Sequence, residues 1–267
     1  MYIDSHAHLD GPKFDSDRAE VIARARAAGV KAILCIGNGT GPGTLDCAAK
    51  LAEHHRDDGI YASTGVHPHD ARLANTASYQ EIERLVEQKQ VIAIGEIGLD
   101  YFYKHSEPLV QQEVFIRQME IARAAELPII LHIRPATEND AAWEDAFRLL
   151  REHWQPTGLG GRGIFHCFTG NADQAKRALD LGFLISFAGV VTFPKSAEIQ
   201  EAARQVPLDR MLIETDSPYL APAPHRGQRN EPAFVVETAR YLAQLRGVSA
   251  EDIGMATSRN FRGLFGL

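Results

Sequence analysis

The chain repeats one unit along its length. A short apolar run is followed by a turn, and then by a stretch in which apolar residues recur at helical spacing. Runs at residues 2–6, 31–36, 60–66, 91–96, 128–132, 163–166, 182–187 and 211–215 read as strands, rich in Val, Ile, Leu and Phe. The stretches 15–28, 42–56, 78–89, 108–125, 140–153, 172–180, 196–205, 232–245 and 250–265 read as helices. Strands alternating with helices imply a parallel sheet. Eight such units favour a closed (β/α)8 TIM-type barrel, an α/β fold typically about 250 residues long, as one domain over residues 1–267. An open dinucleotide-binding sheet is disfavoured, because no Gly-x-Gly-x-x-Gly turn follows the first strand. The glycines at 37, 39, 41 and 43 lack that spacing and read as a tight loop.

In such a barrel the chemistry sits at the C-terminal ends of the strands. His6 and His8 end the first strand, Glu96 the fourth, His132 the fifth and His166 the sixth, and Asp216 follows the eighth. Side chains two apart share a face of a strand. By that parity Ile92, Ile94 and Glu96 line one face, as do Ile130 and His132, Ile164 and His166, and Leu212, Glu214 and Asp216. Each of these strands should present an apolar interior capped by a metal-capable group.

Four imidazoles and two carboxylates exceed what one catalytic ion takes, since such an ion keeps an open position. They suit two divalent cations, with Glu96 as the bridge between a His6, His8 and Asp216 set and a His132 and His166 set. Imidazole-rich ligation favours Zn²⁺, Mn²⁺, Fe²⁺ or Co²⁺ over Mg²⁺. The working expectation is two ions drawn from Mg²⁺, Mn²⁺ and Zn²⁺. Glu214 reads as a partner that orients a ligand histidine. Cys167 is expected to point away from His166 into the helix layer. His54, His55, His105, His153 and His225 read as structural.

Composition narrows the picture further. The balance of 28 Lys and Arg against 35 Asp and Glu gives a net charge of −7, which argues against a protein that coats duplex DNA. It leaves room for a local phosphodiester site, where bound cations would supply the positive charge. No apolar run reaches the roughly 18 residues of a membrane span, and there is no secretory leader pattern. Three cysteines without a Cys-x-x-Cys pair fit a reducing cytoplasm. No obligate protein partner is indicated.

Several stretches together carry a family resemblance. They are DSHAHLD (4–10), GVHPH (65–69), GEIGLDY (95–101), LPIILH (127–132), HCFTG (166–170), GFLISFAGVVTF (182–193), ETDSPYL (214–220) and RNEP (229–232). With these the chain resembles the TatD-type deoxyribonucleases, metal-dependent hydrolases among the amidohydrolase-like barrels. The resemblance implies His6, His8, Glu96, His132, His166 and Asp216 as metal ligands. It also implies a 3′→5′ exonuclease acting on single-stranded or frayed DNA or RNA. One departure stands out: where the family usually has Ser-Arg-Asp-Ala after the fifth-strand histidine, this chain has Ile133-Arg134-Pro135-Ala136.

In this reading the cations make a water acidic enough to attack phosphorus. Asp216 and Glu96 are the catalytic carboxylates, with Asp216 relaying the proton to the leaving group. His67 touches the scissile phosphate, and Arg134, with Arg226 or Arg229, clamps neighbouring phosphates. Tyr101, Phe102, Tyr103 and Phe168 are candidates to stack exposed bases. The competing readings are a metal-dependent amide or ester hydrolase on the same barrel, such as an aminoacyl-tRNA deacylase, and a non-catalytic binding protein. Cyclic-amide hydrolases often bridge their metals with a carboxylated lysine where this chain has Glu96.

Overall fold

The computed structural model describes residues 1–154 and 163–267. Eight strands, β1 (Tyr2–Ala7), β2 (Val30–Cys35), β3 (Ile60–Thr64), β4 (Val91–Asp100), β5 (Ile129–Arg134), β6 (Gly163–Phe165), β7 (Leu184–Phe187) and β8 (Met211–Ile213), lie in sequence order. Each strand pairs in parallel with the next, from β1–β2 through β7–β8. The seam between β8 and β1 is closed just beyond β8. There the Asp216 N–H donates to the His6 carbonyl at 2.9 Å, and the His8 N–H donates to the Ser217 carbonyl at 2.8 Å. Asp4 braces the same seam. It accepts from the Thr215 backbone N–H at 2.9 Å and from the Thr215 hydroxyl at 2.6 Å. The result is the expected (β/α)8 barrel.

The helices are α1 (Arg18–Ala27), α2 (Cys47–His54), α3 (Thr76–Leu85), α4 (Pro108–Ala124), α5 (Ala141–His153), α6 (Ala172–Asp180), α7 (Ala197–Gln205), α8 (Val235–Arg246) and α9 (Ala250–Phe265). Three start in reciprocal capping boxes, Asn75 with Ser78, Asn171 with Gln174 and Ser249 with Asp252, which satisfy otherwise orphaned N-terminal donors. Some boundaries differ from the sequence reading. The stretch from 42 was expected to be helical, but α2 begins only at Cys47, because Thr44 folds back on the Thr40 amide and the Gly41 carbonyl. The α1 pattern likewise starts at Arg18 rather than 15, behind a 3-10 turn at Pro12–Phe14. At the far end, Pro232–Phe234 is also a 3-10 turn before α8.

Two apolar layers hold the barrel. Ile3, Leu34, Ile92, Ile130, Ile164, Leu184 and Leu212 fill the interior together with Phe261 and Leu264 of α9. A larger layer packs the strands' outer faces onto the helices. Strict parity fails on β4: Ile92 is interior, but Ile94 packs into the outer layer. The cause is a register shift against β3, where the step from Ala62 to Ser63 spans Val91 to Ala93 and leaves Ile92 extra; a second shift, against β5, follows between Ile94 and Ile97. Beyond it Gly98, at φ +135°, lets β4 run within reach of β5. A Cβ there would stand 2.2 Å from the His132 carbonyl oxygen.

The last helix crosses the N-terminal end of the barrel. Gly254 lies against the Met1 carbonyl and the Tyr2 ring, where a Cβ would stand 2.5 Å from the Met1 oxygen. The Asn260 amide donates to the Leu208 and Met211 carbonyls at 2.7 and 2.9 Å. Phe261→Ala would therefore open a cavity in the barrel floor. The expected cost is about 3–5 kcal/mol of unfolding free energy, as for other buried phenylalanines. Urea denaturation measures it, and a loss well under 1 kcal/mol would show that the floor does not hold the barrel.

Candidate metal centre

The strand ends converge on one buried carboxylate. Glu96 lies fully inside the C-terminal mouth, and its two oxygens face two sets of imidazoles. Oε2 is 3.5 Å from His6 Nε2 and 3.8 Å from His8 Nε2. Oε1 is 2.7 Å from both His132 Nδ1 and His166 Nε2, and 3.4 Å from His67 Nε2. Asp216 Oδ1 completes the first set, 3.4 Å from His8 Nε2 and 3.8 Å from His6 Nε2. Irregular backbone makes this convergence possible. The β1–β2 register shifts between Asp4 and Ala7, so both histidines reach the mouth. Asp216 itself is left-handed, at φ 55°, a conformation that aspartate tolerates better than most residues.

The spacing of the first set can be tested against a cation. Bonds of about 2.0–2.2 Å at tetrahedral angles put neighbouring donors roughly 3.3–3.6 Å apart. His6 Nε2 and His8 Nε2 are 3.3 Å apart, and their distances to Asp216 Oδ1 and Glu96 Oε2 run from 3.4 to 3.8 Å. His6, His8 and Asp216 together fit a divalent ion. In the second set His132 Nδ1 and His166 Nε2 are 3.4 Å apart, which also suits ligation. Their 2.7 Å contacts with Glu96 Oε1 are hydrogen-bond distances instead. Among the described residues, the candidate metal groups are His6, His8 and Asp216; His6, Glu96 and His166; and His67, His69 and His132.

The electrostatics follow from this crowding. Burial pushes the Glu96 carboxyl up, but the surrounding His166 and His67 imidazoles and the His132 contact outweigh it and hold the group well below its usual range. Burial likewise works against ionised Asp216, yet His8 and the nearby His6 and His166 keep it below the ordinary carboxylate value. His67 is pulled down to about 4 by burial, against the pull of Glu96, and is neutral at pH 7. Its Nδ1 accepts the His69 backbone N–H at 3.1 Å, so its Nε2 carries the proton and faces the site.

Glu214 takes the orienting place expected for it. Its Oε1 lies 3.2 Å from His166 Nδ1 and accepts the Cys167 N–H at 2.6 Å, while Oε2 accepts the Ser5 hydroxyl at 3.5 Å. Asp100 was missed. The sequence reading put it in a loop after residue 96, whereas β4 runs on and ends at it. Its Oδ2 is 2.8 Å from His69 Nε2 and 3.0 Å from His132 Nε2. Its Oδ1 accepts the Phe102 and Tyr103 N–H groups at 3.0 and 2.9 Å. Burial raises its carboxyl, but these imidazole contacts hold it far below the usual range. The sequence offers one signal: Asp100 is four residues beyond Glu96, the same face of a strand that runs on.

Other expectations need correcting. Tyr101 is buried, with its hydroxyl donating to Asp145 at 2.9 Å and accepting from Gln112 at 2.8 Å, so its ring is not on the mouth to stack a base. Phe168 is buried as well, against Trp143 and Phe187. Arg229 does not reach toward the cluster. Its guanidinium is bound to Asp17 at 2.6 and 2.8 Å and to the Lys13 carbonyl at 2.7 Å, over the Phe14 ring. Arg226 lies over Phe193 at 3.7 Å. Arg134, by contrast, is exposed and stacks over Phe102 and Tyr103 at 4.5 and 4.8 Å. Cys167 is not in the helix layer. It is left-handed at φ 40° and half-buried, and beyond burial itself the Asp216, Glu214 and Glu96 carboxylates push its thiol up.

A histidine-carboxylate cluster of this kind, at the C-terminal mouth of a (β/α)8 barrel, defines a metal-dependent hydrolase. The chain belongs to the TatD-related DNase family, whose model matches residues 3–266. It is 42% identical to the Escherichia coli "uncharacterized metal-dependent hydrolase YcfH" over 98% of this chain and 95% of that one. It is 35% identical to the Klebsiella pneumoniae "3'-5' ssDNA/RNA exonuclease TatD", covering 99% of this chain and 97% of the relative. Among solved structures, the E. coli TatD homologue YjjV superposes with a TM-score of 0.89 at 30% identity, over 100% of this chain and 98% of that one. Among the described residues, no helix is long and apolar enough to cross a membrane.

Asp100 sets a clear expectation. A carboxylate hydrogen-bonded to the far nitrogen of a ligand histidine fixes its tautomer and raises its basicity. Asp100→Asn should weaken divalent-cation binding about 10–100-fold, read by isothermal titration with Mn²⁺ or Zn²⁺. Unchanged affinity would mean that His132 needs no such support.

Proposed function

We propose that the protein is a two-metal phosphodiester hydrolase, a 3′→5′ exonuclease acting on single strands or frayed ends of DNA or RNA. One observation carries the reading: Glu96 divides its oxygens between two imidazole sets, as a bridge between two cations requires. His6, His8 and Asp216 would hold one ion, and His132 and His166 the other, with Glu96 shared. Bound divalent cations supply Lewis acidity and neutralise phosphate charge. The relative named as a single-strand exonuclease supports the choice of substrate.

The chain's own groups take the remaining roles. Asp216 is ionised at neutral pH and sits at the edge of the cluster, where it accepts the proton of the attacking water and returns it to the leaving oxygen. Neutral His67 presents its Nε2–H toward Glu96 Oε1, in position to donate to a phosphoryl oxygen. Arg134 supplies a cation at the rim. Glu214 and Asp100 hold His166 and His132 in orientation. Arg229, occupied by Asp17, takes no part.

A metal-supplemented screen tests the reading, using single-stranded and blunt duplex oligonucleotides, phosphate monoesters and aminoacyl-tRNA. Turnover of aminoacyl-tRNA alone would move the assignment to an ester hydrolase. With a net charge of −7 there is little broad attraction for a duplex, so single strands should be degraded faster than blunt duplex at every salt concentration. Equal rates across a salt series would sink that expectation.

Asp216→Asn separates proton transfer from ligation. The amide keeps one oxygen for a cation but cannot accept a proton. Metal content should be largely retained while kcat falls by about 10²–10⁴. Parallel loss of metal and activity, measured by elemental analysis beside kinetics, would make Asp216 chiefly a ligand.

A further inference from the structure

Among the described residues the exposed large aromatics are Phe102, Tyr103 and Tyr219, at 42%, 50% and 52% exposure, and all three stand at the mouth of the barrel. Exposed rings are costly to leave in water, and scattered ones would carry no message. These are gathered, and each carries a cation. Arg134 lies over Phe102 and Tyr103 at 4.5 and 4.8 Å, and Lys13 Nζ lies over Tyr219 at 4.7 Å. They form two groups on opposite sides of the barrel. The first follows β4 and β5, the second follows β8 beside β1, and these strand pairs face each other across an eight-stranded barrel.

Both groups touch the candidate metal centre. The Tyr103 ring meets His69 edge-on at 5.3 Å, and the Tyr219 ring meets His8 edge-on at 6.1 Å. The first group is also anchored, because the Phe102 and Tyr103 amides donate to Asp100, the carboxylate that holds His132. The position of these rings is thereby tied to that of the reacting bond. His105 stacks on Tyr103 at 5.8 Å and meets His69 edge-on at 4.7 Å. Arg134 differs from the arginines on the other side of the barrel. Arg229 and Arg24 are paired with Asp17 and Glu231, but among the described residues no carboxylate lies within ion-pair distance of Arg134.

We infer that Phe102–Tyr103 with Arg134, and Tyr219 with Lys13, are two stacking platforms that hold the unpaired bases on either side of the scissile phosphodiester. The inference rests on the nuclease reading above and adds the register of the strand to it. A flat π-face binds any base, and the cation beside each ring meets the phosphate next to that base, which matches a single strand without sequence preference. A duplex keeps its bases stacked on one another and offers none to the rings. Two platforms with the metal-holding cluster between them place one phosphodiester over the carboxylates.

The experiment uses the full-length protein, Mn²⁺, and a labelled single-stranded oligonucleotide in which one base at a time is replaced by hydrogen. In the wild type, kcat/KM for release of the first 3′ nucleotide should fall at two positions only, those flanking that bond, by about tenfold each. Tyr103→Ala should erase the sensitivity at one of them and Tyr219→Ala at the other. Tyr103→Trp and Tyr219→Trp should retain it, and Tyr103→Leu, which keeps bulk without a π-face, should not. All of these side chains are solvent-exposed, and a thermal melt of each variant checks the fold. If the wild type cleaves the oligonucleotide but the alanine variants keep the same positional sensitivity, the platforms are wrong and the nuclease reading stands. If the wild type cleaves no oligonucleotide at all, both fall together.

Discussion

A carboxylate buried among imidazoles governs this molecule. An ionised group taken out of water costs several kcal/mol unless partners surround it. Glu96 is surrounded by His6, His8, His67, His132 and His166, drawn from the ends of β1, β3, β5 and β6 and the residues just past them. Five imidazoles cannot meet one carboxylate if every strand ends regularly. The barrel therefore bends its backbone where the donors gather: a register shift in β1, another in β4, and left-handed residues at Cys167 and Asp216. Departures of this kind cost local stability and persist only when packing over-determines them. Here the two apolar layers around the strands provide that packing.

The same constraint explains the second ring of polar groups. Each imidazole has two nitrogens, and for several of them the one turned away from the centre has a partner of its own. Asp100 serves His132 and His69 together, and Glu214 serves His166 while also accepting the backbone of Cys167. The His69 N–H fixes His67 from behind. The orientation of the cluster is thus set by residues that do not themselves face its middle, as in metal-dependent hydrolases generally.

Much of this was legible in the chain. The alternation of strand and helix gave the barrel, and the rule that barrel chemistry sits at strand ends was enough to gather His6, His8, Glu96, His132, His166 and Asp216 at one mouth. What failed did so for a common physical reason, namely that period-two reasoning assumes an unbroken strand. Ile94 falls on the outer layer because β4 slips its register against β3 at Ile92, and Asp100 belongs to the strand because β4 continues past a second slip against β5. Tyr101 looked like a rim aromatic for the same reason; as the residue after Asp100 it turns inward to Asp145. Arg229 was misread differently. Nothing in its local sequence reveals that Asp17, more than two hundred positions away, claims its charge.

The helix that ends the described chain has an effect far from its own position. Phe261 and Leu264 of α9 lie beneath the strand side chains that already fill the interior, so the barrel is a cup closed at its floor and not a tube. Whatever enters must leave by the way it came, and no polymer can be fed through from one side to the other. Reactant, products and displaced water compete for one opening about the histidines. Traffic through that opening, as much as bond breaking, then sets how quickly the cup can be refilled.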